Sequence, residues 1–309
     1  MDALTLDQLQ VFVTVADEGS FSAAARRLNR AQSAVTYAIQ KLEEQSGAPL
    51  FDRSAYRPAL SEAGRALLPR ARRILDEVAA FRTQARGIAG GLEPELAIVV
   101  DAMFPMTCFV ETMRAFQARF PTVQTRLYVE SLGASTAMLL DRRVDIGVVA
   151  DFASREGSLV RTPLMEVELV PVAAPEHPLA LMPGPLGHEA VRDHVQLVLT
   201  DRSALTQGQD HGVLATTTWR LADLGAKHAM LRAGLGWGGM PRHMVEDDLA
   251  AGRLKVLDIQ RWDGDERLPR LKTVAAYRVG DAPGPAGRWL LERLTEGVRG
   301  ECARAEAPR

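Results

Sequence analysis

The sequence predicts two unlike parts: a small helical head carrying a strand pair, then a larger α/β domain reached through one long helix. Three observations predict this. The first sixty residues hold three apolar stripes at helical spacing, followed by two strand-like runs around a proline-containing turn. Residues 61–92 carry one long helical pattern whose apolar positions alternate in steps of four and three. From Pro94 onward, strand-like and helix-like runs alternate.

In the head, "LDQLQVFVTVADEGS" places Leu6, Leu9, Phe12, Val13 and Ala16 on one stripe that ends near Gly19. In "SFSAAARRLN", Ser20 or Ser22 can cap a new helix, and Ala24 and Ala25 let a neighbour approach closely. Leu28 closes that helix, and Asn29 is a residue type that accepts the left-handed conformation. The next stretch, "RAQSAVTYAIQKLEEQSG", sets Val35, Ala38, Ile39 and Leu42 at i, i+3, i+4 and i+7. Its other face opens with Gln32, Ser33, Thr36, Tyr37 and Gln40, uncharged where an ordinary solvated face carries Lys and Glu. Helix, very short turn, helix is the spacing of a helix-turn-helix. Amides and hydroxyls at the start of the second helix suit the donors and acceptors of base edges in a major groove. A polar face turned to water in a helical hairpin is the alternative reading.

"PLFDRSAYRPALSEAG" predicts a strand over 50–53, a turn and a second strand over 59–60, a β-wing. Arg53 and Arg57 sit where a wing meets phosphates, with Arg30, Arg26, Arg27 and Lys41 as further neutralisers. Ser61 is placed to cap the long helix. Within it Leu67, Ala71, Ile74, Val78, Phe81, Ala85 and Ile88 follow a coiled-coil seam, the alternative being a long helix packed on its own domain. Pro69 removes one backbone hydrogen bond and is expected to kink the helix locally. "GIAGGLEP" ends it.

Composition bounds the function. The chain has 309 residues, 47% hydrophobic and 25% charged, which is ordinary for globular protein. The net charge of −2 hides an asymmetry. Residues 20–73 hold 10 Lys/Arg against 4 Asp/Glu, a net of +6, whereas residues 93–309 hold 25 against 29. A basic zone on a mildly acidic chain suits an anionic polymer, chance clustering of surface Arg being the alternative. The acidic start lacks a secretory pattern, and no apolar run reaches the roughly 20 residues of a membrane span. Cys108 and Cys302 indicate neither a disulfide framework nor a metal pair. A cytoplasmic location is expected.

The 55 residues "FSAAARRLNRAQSAVTYAIQKLEEQSGAPLFDRSAYRPALSEAGRALLPRARRIL" resemble the LysR-type transcriptional regulators. The resemblance implies a winged helix-turn-helix over 1–60 and a dimerising linker helix over 61–92. It further implies an effector-binding domain over 93–309. Dimers, often tetramers, would bind partly palindromic double-stranded operators, with RNA polymerase a further candidate partner. Three departures stand out. Ala31 replaces a Ser that would cap the recognition helix, and Ser33 replaces a Pro. Thr36-Tyr37 replaces a Ser-Arg pair, so operator preferences do not transfer. Tyr37 is left to reach a phosphate through its hydroxyl, to touch a thymine methyl or to pack on the wing.

Beyond Pro94, "ELAIVVD", "TVQTRLYVE", "DIGVVAD", "VQLVLTD" and "RLKTVAAYRV" read as strands. "PMTCFVETMRAFQARF", with Pro105 at its start, "GASTAMLLDRRV", "AKHAMLRAG", "RHMVEDDLAAG" and "PAGRWLLERLTEGVR" read as helices. This alternation predicts a mostly parallel sheet. The resemblance continues through "RRVDIGVVAD", "AAPEHPLA" and "AGLGWGGMPRHMVEDDLAAGRL". It implies two α/β lobes of the type II periplasmic-binding kind, the first at about 93–164 plus 268–301 and the second at about 165–267.

Ligands in such sheets bind beyond the carboxyl ends of strands. That projects Asp101, Met103, Phe104, Ser131, Leu132, Phe152, Thr200, Arg202 and Trp237 toward a small-molecule effector between the lobes. Met103, Phe104, Phe152 and Trp237 predict an apolar or aromatic cleft; Ser131, Thr200 and Arg202 are its polar anchors. "GLGWGG" formally matches a dinucleotide motif but follows a helical run rather than a strand. The six histidines show no helical ligand pair, and neither a GxSxG elbow nor a phosphate loop occurs. No catalytic residue, cofactor or metal is expected. The rival readings are an enzyme fused to a helical arm and a DNA-binding protein without a ligand.

Arg53→Ala is expected to weaken binding to operator and random DNA alike and to reduce the salt slope by about one. Fluorescence anisotropy across a salt series reads this, and an unaltered slope counts against a phosphate role.

Overall fold

The computed structural model describes residues 4–52, 58–151, 157–200, 202–206, 211–262 and 269–297. The chain divides into two compact units, Met1–Ala89 and Gly90–Arg309.

The first unit opens with α1 (Leu6–Glu18), whose Thr5 and Gln8 cap each other reciprocally and whose end is Gly19 at φ 63°. Of the two serines available, Ser20 caps α2 (Phe21–Arg27), accepting the Ala23 N–H at 3.0 Å. Asn29 adopts φ 53°, the left-handed turn that separates α2 from α3 (Gln32–Ser46). Ala31 gives α3 no side-chain cap. Val35, Ile39 and Leu42 of α3 are buried with Phe12 and Val15 of α1 and Ala24 and Ala25 of α2 in one apolar cluster. β1 (Phe51–Asp52) and β2 (Ala59–Leu60) pair antiparallel, Phe51 opposite Leu60. Phe51 meets Phe12 and Phe21 edge-on at 5.7 and 5.5 Å, so the strand pair is tied to both α1 and α2.

Ser61 caps α4 (Glu62–Ala89) by accepting the Gly64 N–H at 2.9 Å. A Cβ on Gly64 would lie 2.1 Å from the Leu50 carbonyl oxygen, so only glycine lets α4 start this close to the strand pair. α4 stays helical through Pro69. Its Leu68, Ala71 and Leu75 pack against the head core. Ala71, expected on the outward seam, is therefore buried within its own unit. The reason is that a second 4-3-4 row, Gly64, Leu68, Ala71 and Leu75, turns inward beside the seam. Leu67, Ile74, Phe81 and Ile88 are exposed, Phe81 by 71%.

The second unit runs β3 (Glu95–Asp101), α5 (Met106–Arg119), β4 (Gln124–Glu130), α6 (Gly133–Leu140), β5 (Ile146–Ala150) and β6 (Leu159–Ala173). It continues α7 (Pro178–Leu181), α8 (His188–Arg192), β7 (Gln196–Leu199), β8 (Thr218–Leu221), α9 (Leu224–Arg232) and β9 (Trp237–Pro241). α10 (Arg242–Ala250), β10 (Lys255–Val256), β11 (Arg270–Arg278) and α11 (Pro285–Gly297) complete it. The strand order is β4-β3-β5-β11-β6-β9-β7-β8, with β10 also on β6. β3 pairs parallel with β4 and β5, and β7 pairs parallel with β8 and β9. β11 and β6 run antiparallel to their neighbours, so the sheet is mixed rather than mostly parallel. The cause is the double crossing between lobes. β6 pairs with β11 along its first part and with β9 over Leu169–Ala173, passing unbroken from one lobe into the other.

The first lobe buries Leu96, Ile98, Phe109, Phe116 and Leu290, and the second buries Val170, Val172, Leu197, Leu231 and Met240. Cys108 lies on α5, and Cys302 lies outside the described residues. Among the described residues no helix is long and apolar enough to cross a membrane.

The glycines of "GLGWGG" serve strand packing. A Cβ on Gly236 or Gly238 would lie 2.5 Å from the carbonyl oxygen of Val195 or Leu197, and one on Gly239 would strike the Trp262 ring. Behind β9, Lys227 of α9 is buried and donates to the Gly239 carbonyl at 2.6 Å. Burial pushes its amino group down from 10.5 to about 7. Between those values the unfolded chain holds a proton that the folded one lacks, so this group makes stability rise with pH. Lys227→Met should remove that contribution. Urea unfolding of both proteins from about pH 7 to about pH 10 reads it, the wild type gaining stability relative to the variant as pH rises.

Candidate nucleic-acid interface and inter-lobe cleft

On α3 the buried stripe settles which residues face outward. Gln32, Ser33, Tyr37 and Gln40 are exposed, Tyr37 by 61%. Thr36 is half-buried and its hydroxyl donates to the Gln32 carbonyl at 3.0 Å. Lys41 Nζ lies 5.9 Å from the centre of the Tyr37 ring and 2.6 Å from Glu44 Oε2. Glu43 Oε1 accepts the Leu50 and Phe51 N–H groups at 2.8 and 3.2 Å, so α3 itself anchors the first wing strand. Arg53 and Arg57 lie outside the described residues.

Arg30 precedes α3 and forms a two-pronged pair with Asp7 of α1, at 2.7 and 2.8 Å. The Arg30 guanidinium holds the Asp7 carboxyl below its usual range. Arg27 pairs with Glu18 at 2.7 Å, and Arg72 with Asp17 at 2.6 Å. Exposed pairs of this kind contribute about 0–1 kcal/mol, weak enough for a phosphate to displace the acid. The sequence placed Arg30 among the cations but did not reveal its partner, because the two residues lie 23 positions apart.

In the second unit, the carboxyl ends of β3, β4 and β5 meet one edge of the sheet. Asp101 is fully buried there and Met103 nearly so, with the Met103 N–H donating to Asp101 Oδ1 at 2.9 Å. The Leu132 N–H donates to Asp101 Oδ2 at 2.8 Å, at the start of α6. Ser131 and Ser135 are buried beside them, and Ser135 Oγ donates to the Leu132 carbonyl at 2.7 Å. Leu132 has φ 55° and ψ −131°, a sparsely populated conformation for a branched residue. Met103 and Ala150 pack into the second lobe's core, with Ala102 and Leu132 against it, so this edge faces the other lobe.

Of the aromatic lining expected from the sequence, Phe104 and Trp237 are core residues among those described. Phe104 is buried in the first lobe's core with Phe109 and Phe116. Trp237 is buried as the first residue of β9, edge-on to Trp262 at 6.1 Å. Phe104, in the turn between β3 and α5, fills the first lobe's core, and Trp237 fills a second-lobe cluster with Leu179, Val191 and Trp262. Phe152 lies outside the described residues. Thr200 is half-buried with its N–H on the Leu221 carbonyl at 2.8 Å, and Arg202 is exposed. Ser135, in the first turn of α6, was not singled out from the sequence. Among the described residues no cluster of side chains suits a metal ion.

The family model for the LysR substrate binding domain matches residues 89–299, and the model for the bacterial regulatory helix-turn-helix protein of the lysR family matches residues 6–65. The chain is 33% identical over 304 residues to the probable HTH-type transcriptional regulator YhaJ of Escherichia coli K12, covering 97% of this chain and 98% of the relative. It is 28% identical to the HTH-type transcriptional regulator AceR of Acinetobacter baumannii, covering 93% and 95%. Among solved structures it resembles CrgA, a LysR-type transcriptional regulator from Neisseria meningitidis, with a TM-score of 0.52, 25% identity and coverage of 96% and 99%.

If Asp7 competes with DNA for Arg30, Asp7→Asn should tighten binding to random duplex several-fold and steepen the salt slope by up to about one. Anisotropy titrations across salt measure both, and an unchanged slope would separate Arg30 from the phosphates.

Proposed function

The chain belongs to the LysR family of DNA-binding transcriptional regulators with an effector-binding domain, which are not enzymes, and from that premise we propose how its residues divide the work. The exposed face of α3 reads base edges in a major groove. Gln32 and Gln40 supply paired donor and acceptor atoms and Ser33 a hydroxyl, while the Thr36 methyl and the Tyr37 ring offer contacts for thymine methyls. Arg30 and the wing residues Arg53 and Arg57 neutralise phosphates and fix the register. The observation that carries this reading is the uncharged, exposed row on α3, held outward by the buried Val35, Ile39 and Leu42.

α4 brings two copies together through Leu67, Ile74, Val78, Phe81, Ala85 and Ile88. Leu6, Ile74, Val78 and Phe81 already line a shallow groove along α1 and α4, and an apolar ring exposed to the extent of Phe81 gains by being covered. Dimers, or tetramers built from them, then match two-fold operators. The edge at Asp101, Met103, Ser131 and Leu132 forms one wall of the effector cleft, with Thr200 and Arg202 of the second lobe as its further polar candidates. Effector binding favours one spacing of the lobes, and the population of DNA-competent oligomers shifts with it.

Gln32→Ala should reduce discrimination between operator and random duplex by ~1–3 kcal/mol while leaving random-duplex affinity nearly unchanged. Competition titration of the two duplexes reads the ratio, and an equal loss on both would assign Gln32 to the backbone instead.

A further inference from the structure

We propose that Glu43 is a positioning residue for DNA binding: its carboxylate holds the wing in register with the base-reading face of α3, and the wing's phosphate contacts act through it. This rests on the reading in which α3 meets bases and the wing meets phosphates.

The wing cannot fix its own position. It pairs Phe51 with Leu60 and Asp52 with Ala59, and a hairpin that short is marginal alone. Its direction therefore comes from what grips its base. Phe51 is buried against Phe12 and Phe21, but apolar burial is non-directional. Hydrogen bonds supply the direction. One oxygen of Glu43 accepts the Leu50 and Phe51 N–H groups at 2.8 and 3.2 Å, two consecutive donors on a charged acceptor. At the start of α4, the Ser61 N–H donates to the Leu50 carbonyl at 3.0 Å and the Ser61 hydroxyl to the Pro49 carbonyl. The base of the wing is thus gripped by α3 through its N–H groups and by α4 through its carbonyls.

The helix that reads bases also places Glu43. Gln32, Thr36, Gln40 and Glu43 follow at steps of four, four and three, so they share one row of α3. Leu42, the neighbour of Glu43, is buried in the stripe that fixes the rotation of α3. The same burial therefore aims the Gln32 amide at one end of the row and the Glu43 carboxylate at the other. Moving the wing against α3 means breaking both bonds to that oxygen.

The test is a salt series of anisotropy titrations on the full-length chain, with operator and random duplex. Glu43→Gln removes the charge but keeps an oxygen that can accept the same two N–H groups, and should bind at least as steeply as the wild type. Glu43→Ala loses the acceptor too. Relative to Glu43→Gln it should bind both duplexes several-fold more weakly, with a salt slope lower by about one and an unchanged ratio of the two affinities. Loss of folded protein alone would scale both affinities and leave the slope as it was. Should the alanine variant fail to fold, Glu43→Asp, which keeps the charge but withdraws the oxygen, carries the same comparison against the wild type. Arg53→Ala should lower the slope in the wild type and add nothing further in Glu43→Ala.

That pattern supports the proposal. Equal slopes in folded Glu43→Ala and Glu43→Gln, a loss of discrimination in Glu43→Ala, or full additivity with Arg53→Ala would overturn it. Additivity overturns the proposal alone and leaves the wing on the phosphates. An Arg53→Ala variant with the wild-type slope would instead overturn the wing reading, and the proposal with it.

Discussion

The rotation of α3 about its own axis is the constraint on which the DNA-binding unit depends. Val35, Ile39 and Leu42 are buried to within 2% exposure against α1 and α2. Burying side chains of this size contributes about 1.5–3 kcal/mol each. Turning the helix by one residue, about 100°, would expose that stripe and drive Thr36 or Gln40 into an apolar cluster without partners. The two penalties add, so no competing rotation survives. α3 therefore needs neither a side-chain cap at Ala31 nor an extensive charge network to hold its orientation. Phe51 packed on Phe12 and Phe21, together with Glu43 bonded to the Leu50 and Phe51 N–H groups, then ties the first wing strand to all three helices.

A second rule runs through the molecule: its own acids occupy positions that attract anions. Asp7, Glu18 and Asp17 hold arginines of the head, Glu93 accepts the Ala286 and Gly287 N–H groups at the start of α11, and Asp101 fills the start of α6. The consequences differ with burial. The head's exposed pairs contribute little, about 0–1 kcal/mol each. Asp101 is enclosed and bonded within the chain.

Much of the fold was legible because its signals are local. Asn29 at the turn, Ser61 at the start of α4 and the spacing of Val35, Ile39 and Leu42 each depend on chemistry within a few residues. The cleft was less legible. Phe104 stands in the turn between β3 and α5 and Trp237 opens β9, and the local pattern of neither stretch states whether the side chain turns to cleft or core. "WGGMP" lacks the branched residues that mark a strand, and its glycines answer to carbonyl groups on a neighbouring strand. Ala71 shows the same limit on a helix: a small residue beside a seam suits either face, and the head core claims it. The bond from Asp101 to the Leu132 N–H was not legible, because Leu132 comes from the next βα turn.

The central claim is that sequence choice resides in the outward row of α3. It is tested most directly by selecting duplexes from a randomised pool with the wild-type chain and with a variant carrying Ala at Gln32, Ser33, Thr36, Tyr37 and Gln40. The account predicts a defined two-fold motif for the wild type. The variant should enrich no motif, or a different one, yet hold random duplex with similar affinity and salt dependence. Recovery of the same motif by both proteins would contradict it, placing recognition elsewhere in the chain.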